Sequence, residues 1–225
     1  MTALVRMRLA AFVRSGRALA PVIAGVVVLG IIHGGGQSRA APAYGYSAVI
    51  LFPVLAWMSK LILDAEPDVQ RRLARLSVGR RRELVAGLLA AAVAGLVVCA
   101  VGMLTPWPFN AIRGPDTGAG VFLGAVAHLL MLPAAVALGA LASRAVTRSI
   151  RTGVTVLVSG SVLVVVLGLS GSVAPWLVPP VMATARELSH PELPAGETFL
   201  LLSGWAILWC TAALAGYGKL RQRRA

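Results

Sequence analysis

Six runs of apolar residues dominate this chain: Leu19–His33, Tyr44–Leu63, Leu84–Leu104, Val121–Leu141, Gly153–Leu169 and Phe199–Tyr217. None contains Asp, Glu or Arg, and Lys60, near the end of the second, is the one charged residue within them. A helix needs ~20 residues, with a range of about 17–25, to cross the hydrocarbon core of a bilayer. The first and fifth runs are short by that measure and are expected to extend into their flanks. Pro53 and Pro133 sit inside runs, where neighbouring helices can satisfy the carbonyls they free. With 58% hydrophobic and 13% charged residues and a mean hydropathy of +0.82, the chain has more apolar surface than one soluble core can cover. The pattern excludes an ordinary soluble enzyme, a disordered chain and a secreted disulfide scaffold. It predicts an all-α polytopic membrane protein, residues 1–225 forming one transmembrane domain of six helices.

The net charge of +13 does not point to nucleic acid, because the basic residues flank apolar runs instead of forming a patch with interleaved aromatics. Counted over alternate connections, eighteen Lys and Arg fall on one side: Arg6, Arg8, Arg14, Arg17, Lys60, Arg71, Arg72, Arg75, Arg80, Arg81, Arg82, Arg144, Arg148, Arg151, Lys219, Arg221, Arg223 and Arg224. Only Arg39, Arg113 and Arg186 fall on the other. Positive residues favour the cytoplasmic side, so both termini are expected in the cytoplasm of a cell whose plasma membrane holds the chain. Residues 1–33 also read, basic then apolar, as a signal peptide. They lack a clear small-x-small cleavage site and their basic stretch is long, so a retained helix is expected.

Sites for chemistry are sparse. Gly168-Leu169-Ser170-Gly171 matches a GxSG serine-nucleophile pattern, but a base must come from a neighbouring span and the sixth run has no His. His128, inside the fourth run, reads as a helix–helix hydrogen bonder. Gly216-Tyr217-Gly218-Lys219 resembles part of a phosphate loop, yet Ala213 stands in place of its first glycine and Leu220 in place of its Ser or Thr. Cys99 and Cys210 lie in apolar runs without metal-ligand spacing and read as small buried hydrophobes. No carboxylate pair suits a metal, and no ionisable residue near mid-span suits a coupled carrier.

Three organisational features remain. Residues 1–17 place Leu4, Val5, Leu9 and Phe12 on one helical face, with Arg8 interrupting it, and read as a helix at the cytoplasmic interface. The loop over residues 64–83 contains a short amphipathic helix. Pro67 and acidic residues suit its first turn, Val69, Leu73 and Leu76 form an apolar stripe, and Gly79 is placed to stop it. Lipid or another protein could cover that stripe. Residues 171–197, with Trp176 and a helical Val181–Arg186, read as short helices dipping into the outer leaflet. In the fifth run Gly153, Gly160 and Gly168 share one side of the helix, within about 80°, and serve as a dimer seam or an intrasubunit contact; Gly120-x-x-x-Gly124 competes for that role.

This order of elements, together with the text Leu63-Asp64-Ala65-Glu66-Pro67-Asp68-Val69-Gln70-Arg71-Arg72, resembles the permease subunit of ABC-2-type exporters in high-GC bacteria. The resemblance implies an interfacial helix, six spans, a coupling helix between spans two and three, and re-entrant helices between spans five and six. It implies a homodimer or a heterodimer with a related permease, working with a separate nucleotide-binding ATPase. No cofactor, metal or catalytic residue is then expected on this chain. Val69, Leu73 and Leu76 would enter a groove of the ATPase, with Glu66, Asp68, Arg71 and Arg72 fixing the register. An amphiphilic or hydrophobic cargo, such as a drug, antibiotic or lipid, would follow from the apolar lumen. A non-transporting assembly or regulatory membrane protein and an intramembrane enzyme are the other classes open to such a chain.

The charge asymmetry predicts a labelling pattern. Cysteines introduced as Arg113→Cys and His190→Cys should react with an impermeant maleimide added outside, and Arg80→Cys should not. External labelling at position 80 would reverse the orientation.

Overall fold

The computed structural model describes residues 1–190, 192 and 196–223, the side chain of Asp68 excepted. Ten helices follow one another: α1 (Thr2–Arg14), α2 (Leu19–Gly34), α3 (Ala40–Leu63), α4 (Asp68–Val78), α5 (Arg80–Leu104), α6 (Thr117–Leu141), α7 (Arg144–Thr147), α8 (Ile150–Leu167), α9 (Val181–Ser189) and α10 (Gly196–Arg223). The described chain is helical apart from its connections and one isolated parallel bridge between Ser38 and Ile112. Five helices (α3, α5, α6 continued by α7, α8 and α10) are long and apolar enough to span a membrane. The chain is therefore an all-α polytopic protein.

The first apolar run departs from expectation. It does not extend into its N-terminal flank: α1 and α2 pass the spanning test only as a pair and are bent by 77°. Gly16, at φ +69°, turns the chain between them in the left-handed region that glycine adopts without a Cβ penalty. The 16 residues of α2 reach only about 24 Å at 1.5 Å per residue, less than a full hydrocarbon core of ~30 Å. The other runs match their helices closely, most of the difference being a turn or less of polar flank.

α3 is the central element. Of its most apolar window 67% is buried, against 17% in α8 and 22% in α10. It lies along α6, α5, α9, α2 and α8. Lipid tails are as apolar as leucine, so close approach of backbones has to hold such helices together. Small residues provide it: a Cβ on Gly120 would stand 2.8 Å from that of Ala40, and one on Gly139 2.6 Å from that of Ser59 and 2.9 Å from the Lys60 nitrogen. Ser47 Oγ and His128 Nε2, 3.1 Å apart, add a hydrogen bond across the same seam.

Gly153 and Gly160 of α8, and Gly168 that caps its C-terminus, also face this chain. Gly153 abuts the Ala142 carbonyl and Lys60, Gly160 abuts Leu138, and Gly168 abuts Met182. Within residues 171–197, a 3₁₀ turn at Pro175–Leu177 precedes α9, and Trp209 Nε1 on α10 donates 2.8 Å to the Leu177 carbonyl. α9 buries Val181, Thr184, Ala185 and Leu188, with Gly45 of α3 admitting Ala185 and Leu188. Residues 191 and 193–195 of that segment, and Arg224, lie outside the described residues.

The α3–α6 seam yields a stability test. Gly139→Ala forces α3 and α6 apart and should destabilise the detergent-solubilised chain by about 1–3 kcal/mol, as overpacked cores do. Gly204→Ala, where no atom lies within 4 Å of the added Cβ, should leave the thermal midpoint unchanged or raise it.

Candidate functional site: a buried ionic cluster beneath an exposed helix

At one end of the bundle the chain buries charges. α3 ends at Leu63 and α4 starts at Asp68, and the elbow between them is tied on every side. Asp64 accepts from Lys60 Nζ at 2.7 Å and from the Arg144 backbone nitrogen at 2.8 Å, while Arg144 Nη2 donates 2.8 Å to the Asp64 carbonyl. Arg71 Nη2 donates to the Leu63 carbonyl at 3.1 Å and the Glu66 carbonyl at 3.3 Å. The last carbonyl of α3, that of Leu63, thereby gains a cation. That is the charge a helix C-terminus favours.

Arg8 of α1 enters from the side. Its Nε and Nη2 meet Glu66 Oε1 and Oε2 at 2.8 and 2.6 Å, a two-pronged pair of the stronger, charge-assisted kind. Its Nη2 also donates 2.7 Å to Glu83 Oε1, and Nη1 donates 3.0 Å to the Glu83 carbonyl. The guanidinium fits because Gly87 lies beside it; a Cβ there would collide with Nη1. Glu83, one turn into α5, takes a second arginine from α10: Arg221 Nη2 donates 2.6 Å to Oε2, while Arg221 Nη1 bonds the Tyr217 hydroxyl at 3.2 Å. Arg75 of α4 stands 3.6 Å from the same Oε2. The side chains of Arg8, Glu66, Glu83 and Arg221 are 5%, 6%, 2% and 8% exposed. One carboxylate thus joins α1, α4, α5 and α10.

Above this cluster α4 stands free on its outer face. Val69, Leu73 and Leu76 are 69%, 61% and 86% exposed, and Arg72 is exposed beside them. Glu66 and Arg71, expected at the same surface, are buried in the chain's own contacts; the side chain of Asp68 lies outside the described residues. A groove of about 820 Å³ runs between α1 and α4, lined by Leu4, Met7, Ala11, Gln70, Leu73 and Ala74. A second, of about 740 Å³, runs between α3 and α8 past Pro53, Trp57, Lys60, Val154, Val158 and Ser161. Gly79, at φ +85°, separates α4 from α5 with a single residue.

The remaining motifs do not assemble. Ser47 and His128 are hydrogen-bonded but 0% and 1% exposed, out of reach of any substrate. His128 Nδ1 lies 2.8 Å from the Gly124 carbonyl of its own helix. Ser170 is exposed beyond the end of α8, and no histidine bonds it among the described residues. Residues 216–219 continue α10 as regular helix, which leaves no loop of amides to cradle a phosphate. Among the described residues no group of three or more His, Cys, Asp or Glu is arranged for a metal. Sequence reasoning treats Arg8 as an interruption of an apolar face and passes over Glu83 and Arg221. The available signal is that a charge on a face due for burial needs an opposite charge, and acidic residues are scarce here.

Comparison with protein-family models, with curated proteins and with solved structures returns no match. The geometry of the chain itself carries the functional argument.

Removing one partner of a buried ion pair strands the other and costs about 3–5 kcal/mol. Arg8→Ala should therefore lower thermal stability in detergent sharply and release α1, seen as faster tryptic cleavage at Arg6 and Arg14. Arg6→Ala, on an exposed residue, should do neither.

Proposed function

We propose that this chain is the permease subunit of an ATP-driven, ABC-2-type exporter in the plasma membrane, with both termini cytoplasmic. It works with a separate nucleotide-binding ATPase and with a second permease, identical or related. The observation that carries the reading is the exposed apolar stripe of α4, set on an elbow that buried ion pairs join to α1, α3, α5 and α10. A coupling element needs both properties: a surface that another protein can grip, and a stiff connection to the helices it must move.

In this reading the six spans are α2, α3, α5, α6, α8 and α10. α1 lies at the cytoplasmic interface, α4 is the coupling helix, and α9 with the preceding turn is the outer re-entrant segment. The ATPase receives Val69, Leu73 and Leu76, with the α1–α4 groove continuing the contact and Arg72 at its rim. Closure of the ATPase on ATP displaces α4. The joint at Gly79 and the Arg8–Glu66–Glu83–Arg221 cluster pass that displacement to α5, α1 and α10. Cargo and ATP favour different arrangements of the spans, and that difference in affinity gives transport its direction. The apolar α3–α8 groove, with Trp57, Ser161 and Lys60 on its wall, supports an amphiphilic or hydrophobic cargo. The sparsely buried α8 and α10 are the faces left for the second permease or for lipid.

The test is recovery of the ATPase with the tagged chain from its native membrane. A buried apolar anchor contributes about 1.5–3 kcal/mol, whereas an exposed ion pair contributes about 0–1 kcal/mol. Leu73→Asp should therefore abolish transport and ATPase recovery while membrane insertion persists, and Arg72→Ala should have little effect. Undiminished ATPase recovery with Leu73→Asp would overturn the reading and leave α4 as a helix that rests on lipid.

A further inference from the structure

A pocket of about 320 Å³ opens between the end of α4, the first turn of α5 and the last turn of α10, lined by Arg75, Arg80, Arg81, Arg221, Leu84 and Gly218, with the arginine-paired Glu83 in its wall. We infer that it binds the phosphate of an anionic phospholipid drawn from the adjoining leaflet.

Its level in the fold is the first argument. The apolar stretch of α5 begins at Leu84 and that of α10 ends at Tyr217, so Arg80, Arg81 and Arg221 occupy the turn immediately beyond the hydrocarbon-compatible part of their helices. That is the headgroup layer. Basic pockets between spanning helices at this depth are suited to lipid phosphates.

Charge is the second argument. Arg8, Arg75 and Arg221 converge on two carboxylates, Glu66 and Glu83, and Arg80 and Arg81 line the same pocket without joining them. Arg8 and Arg221 take the short bonds. Arg75 is left 3.6 Å from an oxygen that Arg221 already holds at 2.6 Å, with its own side chain only 21% exposed. Burial, together with the neighbouring charge of Arg221, holds the Arg75 guanidinium below the usual arginine range. Arg80 and Arg81 have no carboxylate partner among the described residues. Among the described residues, the pocket therefore has more fixed positive charge than carboxylate to offset it.

Shape and chemistry agree with that charge. At ~30 Å³ for each water in the liquid, the pocket has room for roughly ten waters, more than a glycerophosphate headgroup requires. Guanidinium forks match phosphate oxygens in pairs. Leu84 and Gly218 supply the apolar side on which the glycerol and the root of an acyl chain can rest. The inference needs only the membrane-spanning fold and is independent of the ATPase reading.

The experiment uses the full chain in nanodiscs of phosphatidylcholine doped with phosphatidylglycerol, the retained lipid being counted by native mass spectrometry. Phosphatidylglycerol should be retained in preference to phosphatidylcholine. Arg80→Gln with Arg81→Gln should reduce that preference roughly thirtyfold, at about fivefold for each arginine near the surface. Arg14→Gln with Arg17→Gln, which removes the same charge from the end of α1 and its following turn, should leave it intact. Equal loss in both double variants would mean diffuse attraction and overturn the site. Stabilisation of the detergent-solubilised chain by inorganic phosphate as strong as by phosphatidylglycerol would overturn the lipid assignment. If the double variant does not fold, Arg81→Gln alone must show about a fivefold loss, and an unchanged preference in it would overturn the proposal.

Discussion

Glu83 is the constraint around which one end of this bundle is built. A carboxylate that is 2% exposed, in the first turn of a long and otherwise apolar helix, is tolerable only if paired and hydrogen-bonded. Arg8 and Arg221 meet that need from two helices far away in sequence. The consequences run outward. α1 must lie where Arg8 can reach, α5 must carry Gly87 so that the guanidinium has space, and α10 must end where Tyr217 can orient Arg221. Arg8 then has a second prong free for Glu66, which sets the elbow from which α4 departs.

The elbow divides its residues between two tasks. Glu66 and Arg71 turn inward and bind the ends of other helices, whereas Val69, Leu73 and Leu76 turn outward and touch little. Stiffness comes from the inward set, and any recognition must come from the outward set. Had the charges faced out, screening would have left them worth little, and the helix would have been tethered only by its two chain connections.

Much of this architecture is legible in the sequence. Apolar runs locate the helices because a bilayer demands length and the absence of charge, and Gly79 and Pro67 bracket α4 through backbone chemistry that acts locally. The small residues at 120, 124, 153, 160 and 168 announce close approach, but periodicity along one helix does not name the neighbour. Here that neighbour is α3 for the first pair, and α3, α6, α7 and α9 around the glycines of α8. The ionic cluster is the least legible part. Arg8 looks like a flaw in an amphipathic face, and only the three-dimensional meeting of residues 75 and 138 positions apart from their common partner turns it into the keystone. The short α2 is missed for a different reason: hydropathy does not register the left-handed glycine that bends the chain before it.

The order of synthesis gives the shared carboxylate a further meaning. Arg8 is already made when Glu83 leaves the ribosome, but Arg221 follows 138 residues later, roughly seven to thirty seconds at typical elongation rates. Through that interval Glu83 has one of its two short bonds, and the bundle is closed by the last turn of the last helix. A copy that lacks that turn has only Arg8 for a short bond to Glu83, so the end of α10 completes a pairing that α1 begins.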